Sequence, residues 1–228
     1  EKSRNDPKRQ AEGQKKIRVS TEHLLSLVND VLQVSKLDKG RLAAVEEPFD
    51  LYATLEDCIT ILFPEAKKRG IRLELDASGL QHNRVMGSPL HLKQILTNVI
   101  DNALKYNRPL GSVFVRADEI SFQEGTANYR FVVEDTGIGI GEDFKEHIFE
   151  PFTQEHQSAR TNYDGVGLGM SIVKKLVDQM NGTVVVNSQI NKGSVIQITL
   201  RLRVAEAQNE LPAKGDWAAG DEIAGLRV

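Results

Sequence analysis

The sequence predicts an α+β protein, a two-layer sandwich in which a mixed β-sheet carries helices on one face. Three observations predict it. Strand-like runs fall in neighbouring pairs, near 112–117 with 128–134 and 182–187 with 194–203, which is hairpin spacing. Stretches of helical periodicity separate those pairs instead of alternating with single strands. Apolar residues make up 40% and charged residues 27% of 228, the composition of an ordinary globular chain of one or two domains.

Residues 1–13 are polar, contain Pro7 and Gly13, and read as a disordered lead. Residues 14–39 are helical, with Ile17, Leu24, Val28, Val31 and Ser35 on one stripe. Leu25, Leu27, Leu32 and Val34 widen it, and Gly40 supplies a stop. So wide a face packs either on its own domain or in a bundle with another helix. The charged segment to Glu47, closed by Pro48, reads as a boundary, which makes 14–47 a helix plus linker and 48–204 the main domain.

Within that domain, 51–69 reads as a helix with Leu55, Ile59, Leu62 and Ala66 on one face, kinked or interrupted at Pro64. Residues 71–75 alternate as a half-buried strand, and 84–86 form a short one. Residues 90–106 are helical, with Leu92, Ile95, Leu96, Val99 and Ala103 facing inward. A hairpin loop is placed near Gly125, a short helix at 144–149 and a helix at 170–180. Asn191-Lys192-Gly193 is the turn of the last hairpin. Residues 150–164 are polar and aperiodic, the mark of a functional lid. Residues 205–228, with Pro212, Gly215 and Gly220, read as a linker.

Several classes are excluded or narrowed. A net charge of −3 offers no basic field for nucleic acid. A lone Cys58 cannot form an internal disulfide, which favours a reducing compartment. No apolar run approaches the ~20 residues that cross a bilayer. The chain opens on Glu1 and not on Met, so a fragment is expected, and a membrane-anchored parent stays compatible with it.

Three stretches carry chemistry. In Glu134-Asp135-Thr136-Gly137-Ile138-Gly139-Ile140, a carboxylate at a strand end precedes two glycines. Asp135 can accept a hydrogen bond from an exocyclic amine such as N6 of adenine, and Gly137 and Gly139 let backbone lie against a flat ring. Gly165-Val166-Gly167-Leu168-Gly169 leads directly into a helix, whose N-terminal N–H groups and dipole favour polyphosphate. Its spacing is neither that of the dinucleotide fingerprint nor that of a P-loop. Asn98 and Asn102 stand at i and i+4 on one helix face with Lys105 nearby, which suits an amide oxygen on Mg²⁺ and a point charge on phosphate. Each stretch taken singly is also compatible with a turn, a helix lead-in or a solvated face.

Together they resemble the sensor histidine kinases. Asn98-x-x-x-Asn102-Ala103-x-Lys105-Tyr106 resembles that family's N box, and Asp135-x-Gly137-x-Gly139 its G1 box. Phe149-Glu150-Pro151-Phe152 is similar to the F box, and Gly165-x-Gly167-x-Gly169 to the G2 box. The resemblance covers roughly 49–204 and implies the ATP-binding α/β sandwich shared with gyrase, mismatch-repair and chaperone ATPases. It implies ATP and Mg²⁺ as cofactors and phosphoryl transfer to a histidine. Asp135 would hold the adenine amine, with Gly137 and Gly139 shaping the ring site. Asn102 would ligate Mg²⁺, beside Asn98. Lys105 and Tyr106 would line the phosphate and ribose side. Gly165, Gly167 and Gly169, with Leu168 between them, would form the lid hinge and phosphate cradle, and Arg160 would reach the γ-phosphate. Phe149 and Phe152 would anchor the lid by apolar packing. An amide at Asn98, where related ATPases place a water-activating carboxylate, implies little hydrolysis.

Upstream, 22–40 resembles the second helix of the family's dimerisation and phosphoacceptor hairpin. That likeness implies a homodimer in the parent and an acceptor histidine on the first hairpin helix. None of His23, His82, His91, His147 and His156 has the acceptor context of a following acidic residue and Arg-x-Pro. Gly225-Leu226-Arg227-Val228 resembles the start of a receiver domain, which implies a hybrid kinase or a response-regulator partner. Asp164, Val166, Asn162 and His91 depart from the usual pattern, the first three within or beside the lid. Two rival functions share the fold: a nucleotide-binding module without transfer, and a serine kinase.

Overall fold

The computed structural model describes residues 46–153 and 167–205, with Gly13, Gln14, Arg18 and Thr21 as isolated helical positions. The remainder of the expected helix 14–39 and residues 206–228 lie outside the described residues. The elements are β1 (Glu47–Asp50), α1 (Leu51–Arg69), β2 (Arg72–Gly79), β3 (Arg84–Gly87), α2 (Pro89–Lys105), β4 (Ser112–Gln123) and β5 (Thr126–Asp135). They continue with α3 (Glu142–Lys145), α4 (Gly169–Gln179), β6 (Thr183–Gln189) and β7 (Gly193–Val204). The sheet has seven strands in the order β1-β3-β7-β5-β4-β2, with β6 pairing the same side of β7 as β3 does, farther toward its start. Only β2 and β4 run parallel, so the sheet is mixed, as expected.

The helices start and stop for local reasons. Asp50 caps α1 by accepting from the Ala53 N–H at 2.8 Å, and Gly70 ends it in the left-handed region at φ 67°. Ser88 caps α2, and Pro89 fills the first turn, where no N–H partner is needed. Pro64 does not interrupt α1, which runs unbroken from Leu51 to Arg69. Pro64 and Thr60, the residue whose carbonyl it leaves without a helical partner, both lie on the exposed side of the helix, where the lost bond costs least.

A single core joins the sheet to α1, α2 and α4. Alternate residues of the central strands, such as Val113, Val115, Tyr129, Phe131, Val133, Ile198 and Leu200, are buried against the helices. The intervening residues form a solvated face crossed by ion pairs, Arg130–Asp118 at 3.0 Å and Arg116–Asp76 at 3.8 Å. Such exposed pairs contribute little to stability.

Pro48, read as the close of a charged boundary segment, lies inside an edge strand that begins at Glu47. β1 pairs antiparallel with β3, and an edge position tolerates a residue without an N–H. The β4–β5 hairpin closes on Glu124 and Gly125, both at positive φ (49° and 74°), the two-residue turn whose twist matches the strands. The short helix near 144–149 lies earlier, at Glu142–Lys145, and ends in turns.

Leu110 follows Pro109 in the turn closed by the Gly111 N–H to the Arg108 carbonyl at 3.0 Å. It is 90% exposed and sits at φ 62°. A Cβ residue there pays about 1–2 kcal/mol, against about 0.5–1 kcal/mol of chain entropy for glycine. Leu110→Gly is therefore expected to raise stability by about 0.5–1 kcal/mol, read as a higher urea midpoint at unchanged slope.

Candidate nucleotide site

Helix α2 is the spine of the site. Its apolar face (Leu92, Ile95, Leu96, Val99, Ala103) is buried, which turns Asn98 and Asn102 to a half-buried flank. The first residue of α4 meets that flank. An ideal Cβ on Gly169 would lie 3.9 Å from Asn102 Nδ2 and 4.0 Å from Asn98 Cγ. Asn98 Nδ2 donates to the Gly169 carbonyl at 3.5 Å. The N-box-like asparagines and the last glycine of the G2-like stretch are thus neighbours. A methyl at Gly169 would make ordinary van der Waals contact with both amides.

Leu168, expected in the phosphate cradle, has its side chain in the core. It is 1% exposed and belongs to the core, so only its backbone is available to a ligand. Its carbonyl accepts from Ser171 Oγ at 2.8 Å and the Ile172 N–H at 3.0 Å, which fixes the start of α4. His91, where the family pattern favours arginine, is buried in the first turn of α2. Burial holds its imidazole pKa down and keeps it neutral.

The G1-like loop packs on the other end of α2. The Ile138 N–H donates to the Tyr106 carbonyl at 3.0 Å, and a Cβ on Gly137 would stand 2.4 Å from that same oxygen. Only glycine fits there. Gly139, at φ 72°, lies so close to Gln189 that a Cβ would reach its carbonyl oxygen at 2.0 Å. Lys105 Nζ sits 5.5 Å from the centre of the Tyr106 ring.

Asp135 ends β5, opposite Val113 on one side and Ser194 on the other. Its Oδ1 accepts from the Gly137 N–H at 2.7 Å. Burial raises the carboxyl pKa; hydrogen bonds from Gly137 and Ser194 oppose that shift, and Glu134 adds to it. A carboxyl whose folded pKa is raised favours the fold least when ionised. Its contribution falls as pH rises from the ordinary carboxylate value through the raised one, and the cost is fully present at neutral pH. Asp135→Asn removes that cost and retains the acceptor oxygen for Gly137. The variant is expected to melt no lower than the parent at pH 7, with a flatter stability profile through mildly acidic pH. It is also expected to bind adenine nucleotides about 10- to 100-fold more weakly, the worth of a charge-assisted hydrogen bond, by calorimetry.

The F-box-like segment meets the G2-like stretch at the base of the expected lid. The Phe152 N–H donates to the Gly167 carbonyl at 3.1 Å, and Gly167, at φ 75°, would bring a Cβ within 2.5 Å of the Thr153 carbonyl. Phe149 is half-buried against the core, as expected of an anchor. Phe152 is not an apolar anchor: it is 63% exposed at φ 66° and contributes its backbone. Arg160, Gly165, Asn162, Asp164 and Val166 lie outside the described residues.

One group of residues escaped the sequence reading. Asn107 is buried beside the G1-like loop; its Oδ1 accepts from Thr136 Oγ1 at 3.2 Å and its Nδ2 donates to the Ser112 carbonyl at 3.0 Å. The Ser112 N–H in turn donates to Thr136 Oγ1 at 2.9 Å. Nothing in the sequence marks Asn107, because asparagine is ordinarily a surface residue.

Asn102 would offer one amide oxygen, a hard donor of the kind that Mg²⁺ carried by a triphosphate accepts. Among the described residues no cluster of three or more His, Cys, Asp or Glu could hold a metal on its own.

Residues 87–204 match the family described as histidine kinase-, DNA gyrase B-, and HSP90-like ATPase. The chain is 34% identical over 198 residues to sensor histidine kinase AruS of Pseudomonas aeruginosa, covering 87% of this chain and 20% of that protein. It is 34% identical over 183 residues to signal transduction histidine-protein kinase BarA of Escherichia coli K12, covering 80% of this chain and 20% of that protein. Full-length ShkA, solved in complex with AMPPNP, superposes with a TM-score of 0.72 at 32% identity, over 85% of this chain and 39% of that one.

The chain belongs to the histidine kinase-, gyrase B- and HSP90-like ATPase family. Within it, the chain carries the catalytic ATP-binding domain of two-component sensor histidine kinases. It spans 20% of the length of the first curated relatives it matches. Among the described residues no helix is long and apolar enough to cross a membrane.

Proposed function

We propose that this domain binds Mg²⁺–ATP and transfers the γ-phosphoryl group to a histidine on an acceptor hairpin. The observation that carries the reading is the position of α2, which touches the G1-like loop at Tyr106 and the start of α4 at Asn98 and Asn102. One helix thereby relates the Asp135 end of β5 to the N-terminus of α4, where a purine and an anion would sit. The complex of the relative ShkA with AMPPNP supports ATP as the ligand.

On this reading Asp135 accepts the adenine N6 hydrogen, and Gly137 and Gly139 shape the ring site by letting the loop close against the Tyr106 and Gln189 carbonyls. Lys105 and Tyr106 flank the ribose and phosphates. Gly165, Gly167 and Gly169, with the Leu168 backbone, close over the phosphates, and Arg160 meets the γ-phosphate. Asn102 supplies the protein ligand to Mg²⁺, which neutralises charge on the phosphates when bound. The acceptor imidazole nitrogen attacks the γ-phosphorus, the bond to the β–γ bridging oxygen breaks, and ADP leaves. The chain's part is positioning and charge stabilisation. Asn98, being an amide, cannot deprotonate water, which preserves ATP for the protein acceptor.

The parent is a membrane-anchored homodimer with this domain on the cytoplasmic side, passing its phosphoryl group to a receiver domain or response regulator. The domain limits are 14–47 for the hairpin helix and linker, 48–204 for catalysis and 205–228 for a linker. Incubation with radiolabelled ATP and an isolated acceptor hairpin tests the reaction. Acid-labile label on the hairpin supports it; acid-stable label identifies a serine kinase, and binding without transfer identifies a regulatory module.

A further inference from the structure

Four backbone and side-chain contacts close a ring behind the G1-like loop. The Tyr106 carbonyl accepts from the Ile138 N–H at 3.0 Å, and the Ile138 carbonyl accepts from the Asn191 N–H at 2.7 Å. Arg108 Nη2 donates to the Asn191 carbonyl at 2.6 Å and to its Oδ1 at 3.3 Å. Arg108 lies two residues after Tyr106, so the circuit returns to the end of α2. Asn191 is the middle of the β6–β7 turn and holds φ 67°, the geometry that aims its N–H at the loop and its carbonyl at the guanidinium.

That turn is the wall on which the loop rests. Gly139 abuts the Gln189 carbonyl and Ile190 Cα, and Gly193 abuts the Asp135 carbonyl. The Ile140 N–H donates to Ser188 Oγ at 2.8 Å. The loop therefore takes its shape from segments 188–193, and Arg108 is the side chain that ties those segments back to α2 across 83 residues of sequence. Its partners are neutral oxygens, so its charge strengthens the clamp without forming an ion pair there.

We propose that Arg108 is a positioning residue of the nucleotide site. By holding the β6–β7 turn at Asn191, it sets the 137–140 loop at the height that a purine paired with Asp135 requires. The proposal rests on the nucleotide-binding reading of that loop. Because the clamp is exposed and acts through two intervening contacts, its loss should weaken binding without destroying it.

Arg108→Ala and Arg108→Lys in the full 228-residue chain test it by competition binding of ATP, ADP and adenosine, alongside amide hydrogen exchange. Arg108→Ala is expected to weaken all three ligands by the same factor, roughly five- to tenfold, the size of one mispositioned hydrogen bond. Arg108→Lys, which keeps one donor, should recover part of the loss. Exchange should accelerate at Ile138, Ile140 and Asn191 and stay unchanged at Phe131 and Val133 in the core of β5. Unchanged affinity in Arg108→Ala overturns the proposal. So does a loss that grows with the number of phosphates, which would make Arg108 a direct phosphate contact. Faster exchange throughout β5, or an unfolded variant, would assign it a global structural role instead. If the parent chain bound no adenine ligand, the reading of the site would fail, while the exchange measurement would still report whether Arg108 holds the loop.

Discussion

Asn102→Ala is expected to lower phosphotransfer to an acceptor hairpin by about a hundredfold or more, the usual cost of deleting a group that stabilises transition-state charge. Asn102 lies on the half-buried flank of α2, away from the Leu92–Ile95–Leu96–Val99 face that holds the helix to the core. Alanine is the best helix former, so the variant should fold at least as stably as the parent, within about 0.7 kcal/mol. The loss of rate thus separates from any loss of structure. ATP binding should weaken mainly in the presence of Mg²⁺ and much less in excess chelator, because the missing group is proposed to act through the ion. Transfer at the parental rate by a folded Asn102→Ala chain would remove Asn102 from the site.

Gly193→Ala should be the most damaging single-methyl change to the fold. Gly193 begins β7 at φ 102°, and a Cβ there would stand 1.9 Å from the Asp135 carbonyl oxygen, 2.8 Å from its carbon and 3.0 Å from Thr136 Cα. All three are backbone atoms or bonded directly to it, so no side-chain rotation relieves the clash. The strand ends must separate, which breaks the pairing that holds Asp135 beside Ser194. We expect a destabilisation of about 3 kcal/mol or more, seen as a large drop in urea midpoint, together with loss of adenine-nucleotide binding. A variant with parental stability would show that the end of β5 moves freely.

Much of this was legible in the sequence, and the parts that were not have physical reasons. Helices α1, α2 and α4 announce themselves by periodicity, and the structure adds the caps Asp50 and Gly70 on α1 and Ser88 on α2. β1 stayed hidden because four residues containing a proline and two acids read as a boundary, and only the pairing with β3 makes them a strand. β4 runs six residues past its expected end, through a bulge between Glu119 and Ser121 that breaks the alternation. The site's glycines were readable because turns and close approaches need them. The Asn107, Arg108 and Asn191 contacts were not, because they join segments far apart in the chain, and nothing local distinguishes them from surface residues. Phe152 and Leu168 show the converse: a motif predicts that a residue matters but not whether its side chain or its backbone does the work.

The placement of β7 has a bearing on biosynthesis. Among the described residues it is the last strand of the sheet to be made, yet it lies at the centre, paired with β5 along one side and with β6 and β3 along the other. A nascent chain halted before Gly193 would hold β5 with an open flank and nothing joining the β1–β3 pair to it. The domain therefore cannot close, and no pocket can form, until residue 204 has cleared the ribosome; until then an uncapped hydrophobic strand is exposed to chaperones or to another nascent chain.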